Sequence, residues 1–125
     1  MDPINWVAVA VSALLAAAVG AVWYGRLFPR GSNGAGWLAG AVALQAVSAL
    51  MLGHALARIG AEKLSLKPWL YWMQSGGIAL AFIIPALWIT QARSGVRARD
   101  MAVDSGFWLV VYLLTGTVFF VLRGI

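Results

Sequence analysis

Five side chains of this sequence could do chemistry from within largely apolar stretches: Tyr24, Gln45, His54, Gln74 and Asp104. A histidine can relay protons or ligate haem, because imidazole titrates near neutral pH and its ring nitrogens are good ligands. His54 has no second histidine, no cysteine in the chain and no acidic neighbour along its segment. It therefore reads as a hydrogen-bonded interfacial histidine, with proton relay as the functional alternative. Of the four acidic residues, Asp2, Glu62 and Asp100 belong to a terminus or to loops, and Asp104 alone enters an apolar run. At the N-terminal edge of a helix, free N–H groups and the macrodipole favour a carboxylate, so Asp104 reads as a cap or as an ion or headgroup site. Arg93, Arg97 and Arg99 precede it on the same side, and the Tyr24 hydroxyl reaches that side too. An ionised Asp104 is expected to pair with one or both, since a lone carboxylate near hydrocarbon costs several kcal/mol.

Gln45 and Ser48 lie three apart and share a helix face. With Gln74 and Ser75 they read as polar contacts between helices, each contributing about 0.6–2 kcal/mol, or else as part of a substrate path. An enzyme needs a nucleophile with its base, paired carboxylates or a metal cluster. None is visible, so no catalytic, cofactor or metal site is expected.

The elements that must position these residues follow from composition. Of 125 residues 62% are hydrophobic and 10% charged, against roughly 45–50% and 25% in soluble domains. A short chain cannot hide so much apolar surface from water. In lipid only helices or a closed barrel satisfy the backbone, and barrel strands would alternate apolar with polar residues. The long apolar runs predict an all-α polytopic membrane protein, one domain over residues 1–125. Its helices are expected at about 5–24, 36–58, 69–91 and 103–122, each near the 20 residues that cross ~30 Å of hydrocarbon. Short gaps make consecutive helices antiparallel neighbours in a four-helix bundle. All seven tryptophans (Trp6, Trp23, Trp37, Trp69, Trp72, Trp88 and Trp108) fall near predicted ends, where an indole finds both apolar and polar surroundings. Met1-Asp2-Pro3 carries no cation, so the first segment reads as a retained span and not a signal peptide. The net charge of +5 resides in the gaps. There it suits anionic lipid headgroups, not nucleic acid.

Pro85 removes the hydrogen bond to the Ala81 carbonyl and predicts a bend in the third helix, opening toward Gln91. Such a bend is either a gate or an ordinary feature of a span. Small residues at spacing four (Ala13, Ala17, Ala21; Ala16, Gly20; Gly36, Gly40) predict close backbone approach within the bundle or to another subunit.

Two stretches carry a resemblance. Asn5-Trp6, an alanine-rich span and Gly20-Ala21-Val22-Trp23-Tyr24-Gly25-Arg26-Leu27-Phe28 form the first. Pro85-Ala86-Leu87 and Asp104-Ser105-Gly106-Phe107-Trp108-Leu109-Val110 form the second. Together they resemble the bacterial membrane proteins of domain of unknown function 1761, although the first loop is shorter than that pattern. The resemblance implies four helices in a bacterial inner membrane and no particular activity.

Two functions remain. One is a structural or accessory subunit packing with itself, as a homo-oligomer, or with a larger membrane complex. The other is a small oligomeric channel or carrier gated by the third helix. A four-helix multidrug exporter is disfavoured, because the first segment has no acid within its span. Asp2 before that segment and Arg26 and Arg30 after it place the odd-numbered gaps in the cytoplasm and both termini outside.

Overall fold

The structure is a computed structural model describing residues 3–29 and 35–125. Its helices are α1 (Trp6–Val22), α2 (Ala35–Ile59), α3 (Ala61–Leu66), α4 (Leu70–Ile78), α5 (Ile84–Arg93) and α6 (Ala98–Val121). Two single π-helical turns, Trp23–Leu27 and Ala79–Ile83, prolong α1 and join α4 to α5. The described residues contain no strand, and they form four helices long and apolar enough to cross a membrane: Trp6–Leu27, Ala35–Ile59, Leu70–Arg93 and Ala98–Val121. Asp2 and Arg30, which bear on the expected orientation, lie outside the described residues.

The Asn5 side chain starts α1 by accepting from the Ala8 N–H at 3.1 Å. The turn after α5 uses Gly95 at φ +78°, and Val96 N–H reaches back to the Gln91 carbonyl at 3.0 Å. This is the glycine-terminated C-cap that satisfies late carbonyls. Two expectations need correction here. The second gap is not all loop, because it holds α3, whose Leu64 turns inward. The fourth helix begins at Ala98, not near residue 103. Its basic first turn is too polar for hydrocarbon but forms helix readily, with Asp100 as its acidic first-turn residue. Asp104 therefore lies six residues inside the helix, about 9 Å from its start, and the edge position belongs to Asp100. For the same reason Trp108 lies ten residues into the helix and not in its first two turns.

The spans close into a ring. α1 packs on α2 and α6, α4 and α5 pack on α6, and α2 meets α4. Ala8, Ala49, Leu52, Leu56, Tyr71 and Phe119 fill the half near the termini. Ala16, Ala79, Phe107, Val111 and Tyr112 fill the half near Asp104. Of the small-residue stripes, Ala13, Ala16 and Gly20 are buried, and the Trp37 ring lies over Gly20. An added Cβ at Gly36 or Gly40 meets nothing within 4 Å, so these two mediate no close approach within the bundle. The closest approach uses Gly116, where an added Cβ would fall 2.9 Å from the Tyr71 carbonyl oxygen and against the Ser75 side chain.

At Pro85, the second residue of α5, the third span leaves α-geometry. The turn before it is π-helical, and Ile84 N–H donates to the Ala79 carbonyl five residues back. A wider turn gives room to a ring that cannot continue the α pattern. α2 packs on α4 but not comparably on α5, so the second and third spans part toward the Gln91 end.

Gly116→Ala should therefore lower the unfolding temperature in detergent, at a cost of ~1–3 kcal/mol from overpacking against fixed backbone. Gly40→Ala should cost nothing. Equal effects in a thermal melt would show that the α4–α6 seam is not tightly packed.

Candidate functional site

Asp104 projects from α6 into the bundle at 5% exposure. Each carboxylate oxygen accepts a hydrogen bond from a different helix. Tyr24 Oη donates to Oδ1 at 2.5 Å, and Gln91 Nε2 donates to Oδ2 at 2.6 Å. The π-turn Trp23–Leu27 carries Tyr24 at this point, and the same turn lets the Trp23 indole donate to the Val103 carbonyl at 3.2 Å. Phe107, one turn further along α6, lies 5.2 Å from the Tyr24 ring, and Trp37 meets that ring edge-on at 6.2 Å. The carboxylate thus joins the first, third and fourth spans under an aromatic cover. Apolar surroundings strengthen such charge-assisted bonds.

Gln91 was not singled out by sequence reasoning. It lies in the last turn of α5 beside Arg93, where an amide looks like ordinary interfacial polarity. Its signal is the pairing of one amide at a helix end with one acid in the second turn of the next. Arg97 bonds Asp100, with Nε 3.4 Å from Oδ2, and Arg93 ends α5 exposed.

The expected glue residues fare differently. Gln45 is buried, Ser48, His54 and Gln74 are half-buried, and among the described residues none of the four makes a side-chain hydrogen bond to another helix. The expectation of interhelical bonds at Gln45, Ser48 and Gln74, and of a hydrogen-bonded His54, is corrected accordingly. Ser75 is buried and bonds its own helix, donating to the Tyr71 carbonyl at 3.0 Å. Indoles supply much of the bonding instead. Trp88 Nε1 donates to Ser105 Oγ at 2.6 Å, and Trp72 Nε1 donates to Thr117 Oγ1 at 2.9 Å. At the opposite end, Asn5 Nδ2 donates to the Leu122 carbonyl at 2.8 Å. Each of these interhelical bonds ends on α6 or the residue after it. Periodicity reveals apolar faces but not which indole meets which hydroxyl, because that depends on helix rotation.

Among the described residues no group of three or more His, Asp or Glu side chains is placed to hold a metal ion. The geometry of the Asp104 cluster is that of a lock between helices.

Asp104→Ala should lower the unfolding temperature in detergent well beyond Glu62→Ala, whose residue is exposed on α3. Tyr24→Phe and Gln91→Leu should each reproduce part of the loss, about 1.5–3 kcal/mol per bond to a charged group. Equal and negligible shifts for all four variants would remove the cluster's structural role.

No protein-family model, curated protein or solved structure matches this chain.

Proposed function

We propose that this chain is a small non-enzymatic accessory protein of a bacterial inner membrane, packing with a second copy of itself or with a larger membrane complex. The observation that carries this reading is the separation of its intramembrane polar groups. Asp104 is engaged by Tyr24 and Gln91, Gln45 borders an apolar cavity, and Gln74 lies half-buried on the third span. A conduction path needs such groups to share a wet route, and none of the described cavities joins these three. The outer face of α2 supplies a surface for a partner, with Leu44, Val47 and Met51 each at least 60% exposed from the bundle. Helices associate in lipid by packing such faces. The resemblance to domain of unknown function 1761 supports the membrane location. One observation favours the second reading, a small oligomeric channel or carrier: the π-turn Ala79–Ile83 ahead of Pro85, a place where the third span can change its bend.

The chain has no cysteine, so single cysteines report cleanly. Val47→Cys or Met51→Cys, oxidised in native membranes, is expected to yield one discrete covalent dimer or one cross-linked partner of fixed size. Reconstituted vesicles are expected to conduct ions no faster than empty ones. Monomer alone after oxidation, together with measurable flux, would favour the carrier reading.

Orientation follows from the charges flanking the first span, with the odd-numbered gaps cytoplasmic and both termini outside. A reporter active only in the cytoplasm should be silent when fused after Ile125 and active when inserted at Gly95. The reverse pattern would invert the topology.

A further inference from the structure

A cavity of about 640 Å³ lies at the end of the bundle that holds the termini, within the roughly 300–1,000 Å³ of small-molecule sites. Every span or its cap contributes to the wall: Asn5 before α1, Leu56 of α2, Tyr71 of α4 and Phe119 of α6, with Leu64 of α3 beside them. Tyr71 is the second residue of the third span, and Arg123, also in the wall, follows the end of α6 by two residues. Both stand at the membrane–water edge. The wall runs inward from there to Gly53, six residues or about 9 Å before the end of α2.

Tyr71 is 94% buried, from its 6% exposure. Its backbone carbonyl accepts from Ser75, but its hydroxyl bonds no described residue. That hydroxyl is not sealed off either. Among the described residues, the unpartnered side-chain oxygens closed to solvent are those of Ser12, Gln45 and Gln91. The Tyr71 hydroxyl is therefore a donor presented to the cavity. The Arg123 guanidinium lies 4.1 Å over the Phe120 ring, and the Tyr71 ring meets that same ring edge-on at 5.5 Å. Arg123 donates one N–H to the Phe120 carbonyl and pairs with no carboxylate among the described residues.

These groups select the head of a ligand. A hydroxyl donor beside a cation favours an anion and repels an ammonium. The remaining guanidinium N–H groups and one hydroxyl match the two oxygens of a carboxylate. The inner wall selects the tail. Leu56, Leu64 and Phe119 offer apolar surface, which suits an acyl chain, whereas water needs two to four polar partners to settle there. Helices on every side leave room for one chain, and the second chain of a diacyl lipid would have to pass out between packed spans.

We infer that this cavity binds a single-chain fatty-acid carboxylate, its head held by Arg123 and the Tyr71 hydroxyl and its chain packed along Leu56, Leu64 and Phe119. The site lies at the opposite end of the bundle from Asp104 and does not depend on the accessory role.

The test is native mass spectrometry of the purified full chain in a neutral detergent at pH 8, where a carboxyl is ionised. Dodecanoate, dodecanol and a diacyl phosphatidylglycerol are titrated separately. Dodecanoate should saturate at one per chain and bind about tenfold more tightly than dodecanol, the effect of one bond to a charged group. Arg123→Gln should lower dodecanoate affinity about tenfold and leave dodecanol unchanged, and Tyr71→Phe should lower it as well. Arg58→Gln, which removes a cation from the same end but outside the cavity wall, should change nothing. Arg123 is exposed, so its variant keeps the test decisive even if Tyr71→Phe fails to fold. Equal affinities for dodecanoate and dodecanol, saturable binding of the phosphatidylglycerol alone, or equal losses from Arg123→Gln and Arg58→Gln would each overturn the proposal.

Discussion

Hydrocarbon offers no hydrogen bonds, so a polar group carried into the spans must find its partner on its own or a neighbouring helix or remain costly. That constraint organises the bundle. Tyr24 and Gln91 both reach Asp104, Trp23 reaches a carbonyl of α6, Trp72 and Trp88 reach hydroxyls of α6, and Asn5 caps α1 while holding the chain just past α6. The fourth span is therefore the hub to which the first and third are tied at both ends. The second span has no such tie among the described residues. Packing around Ala49, Leu52 and Gly53 and the Trp37 ring over Gly20 hold it instead.

This asymmetry has a mechanical consequence. Dispersion contacts are short-ranged but have no preferred direction, whereas hydrogen bonds resist rotation and register shifts. The first, third and fourth spans make a directional frame, and α2 leans on it near the termini while parting from α5 near Asp104. The cavity beside Gln45 occupies that parting. The outer apolar face of the same helix is the surface most open to a neighbour in the membrane.

The two π-turns serve different ends. Trp23–Leu27 adds a residue to a turn at the end of the first span, bringing Trp23 and Tyr24 together onto α6. Ala79–Ile83 makes room for Pro85, whose ring cannot continue an α-helix. Such turns recur where local strain meets a functional need. Here one is set by a distant contact and the other by the covalent shape of a residue nearby.

The sequence by itself determined the class of the fold, because apolar run length, interrupted by Gly, Pro and Arg, is a local property that lipid reads directly. It also made Tyr24 and Asp104 candidates for one cluster, since an even number of crossings brings the end of the first span and the start of the fourth to one membrane face. Hydropathy placed the fourth helix late, because α6 begins with Ala98, Arg99 and Asp100, residues that are helical but not apolar. Only the tertiary structure decided that Gln91 donates to the carboxylate, that indoles and not Gln45 or Gln74 tie the helices, and that Gly116 rather than Gly40 makes the close seam. Those outcomes depend on how each helix is rotated about its axis. Rotation is set by the summed packing of all four spans, which no single segment encodes.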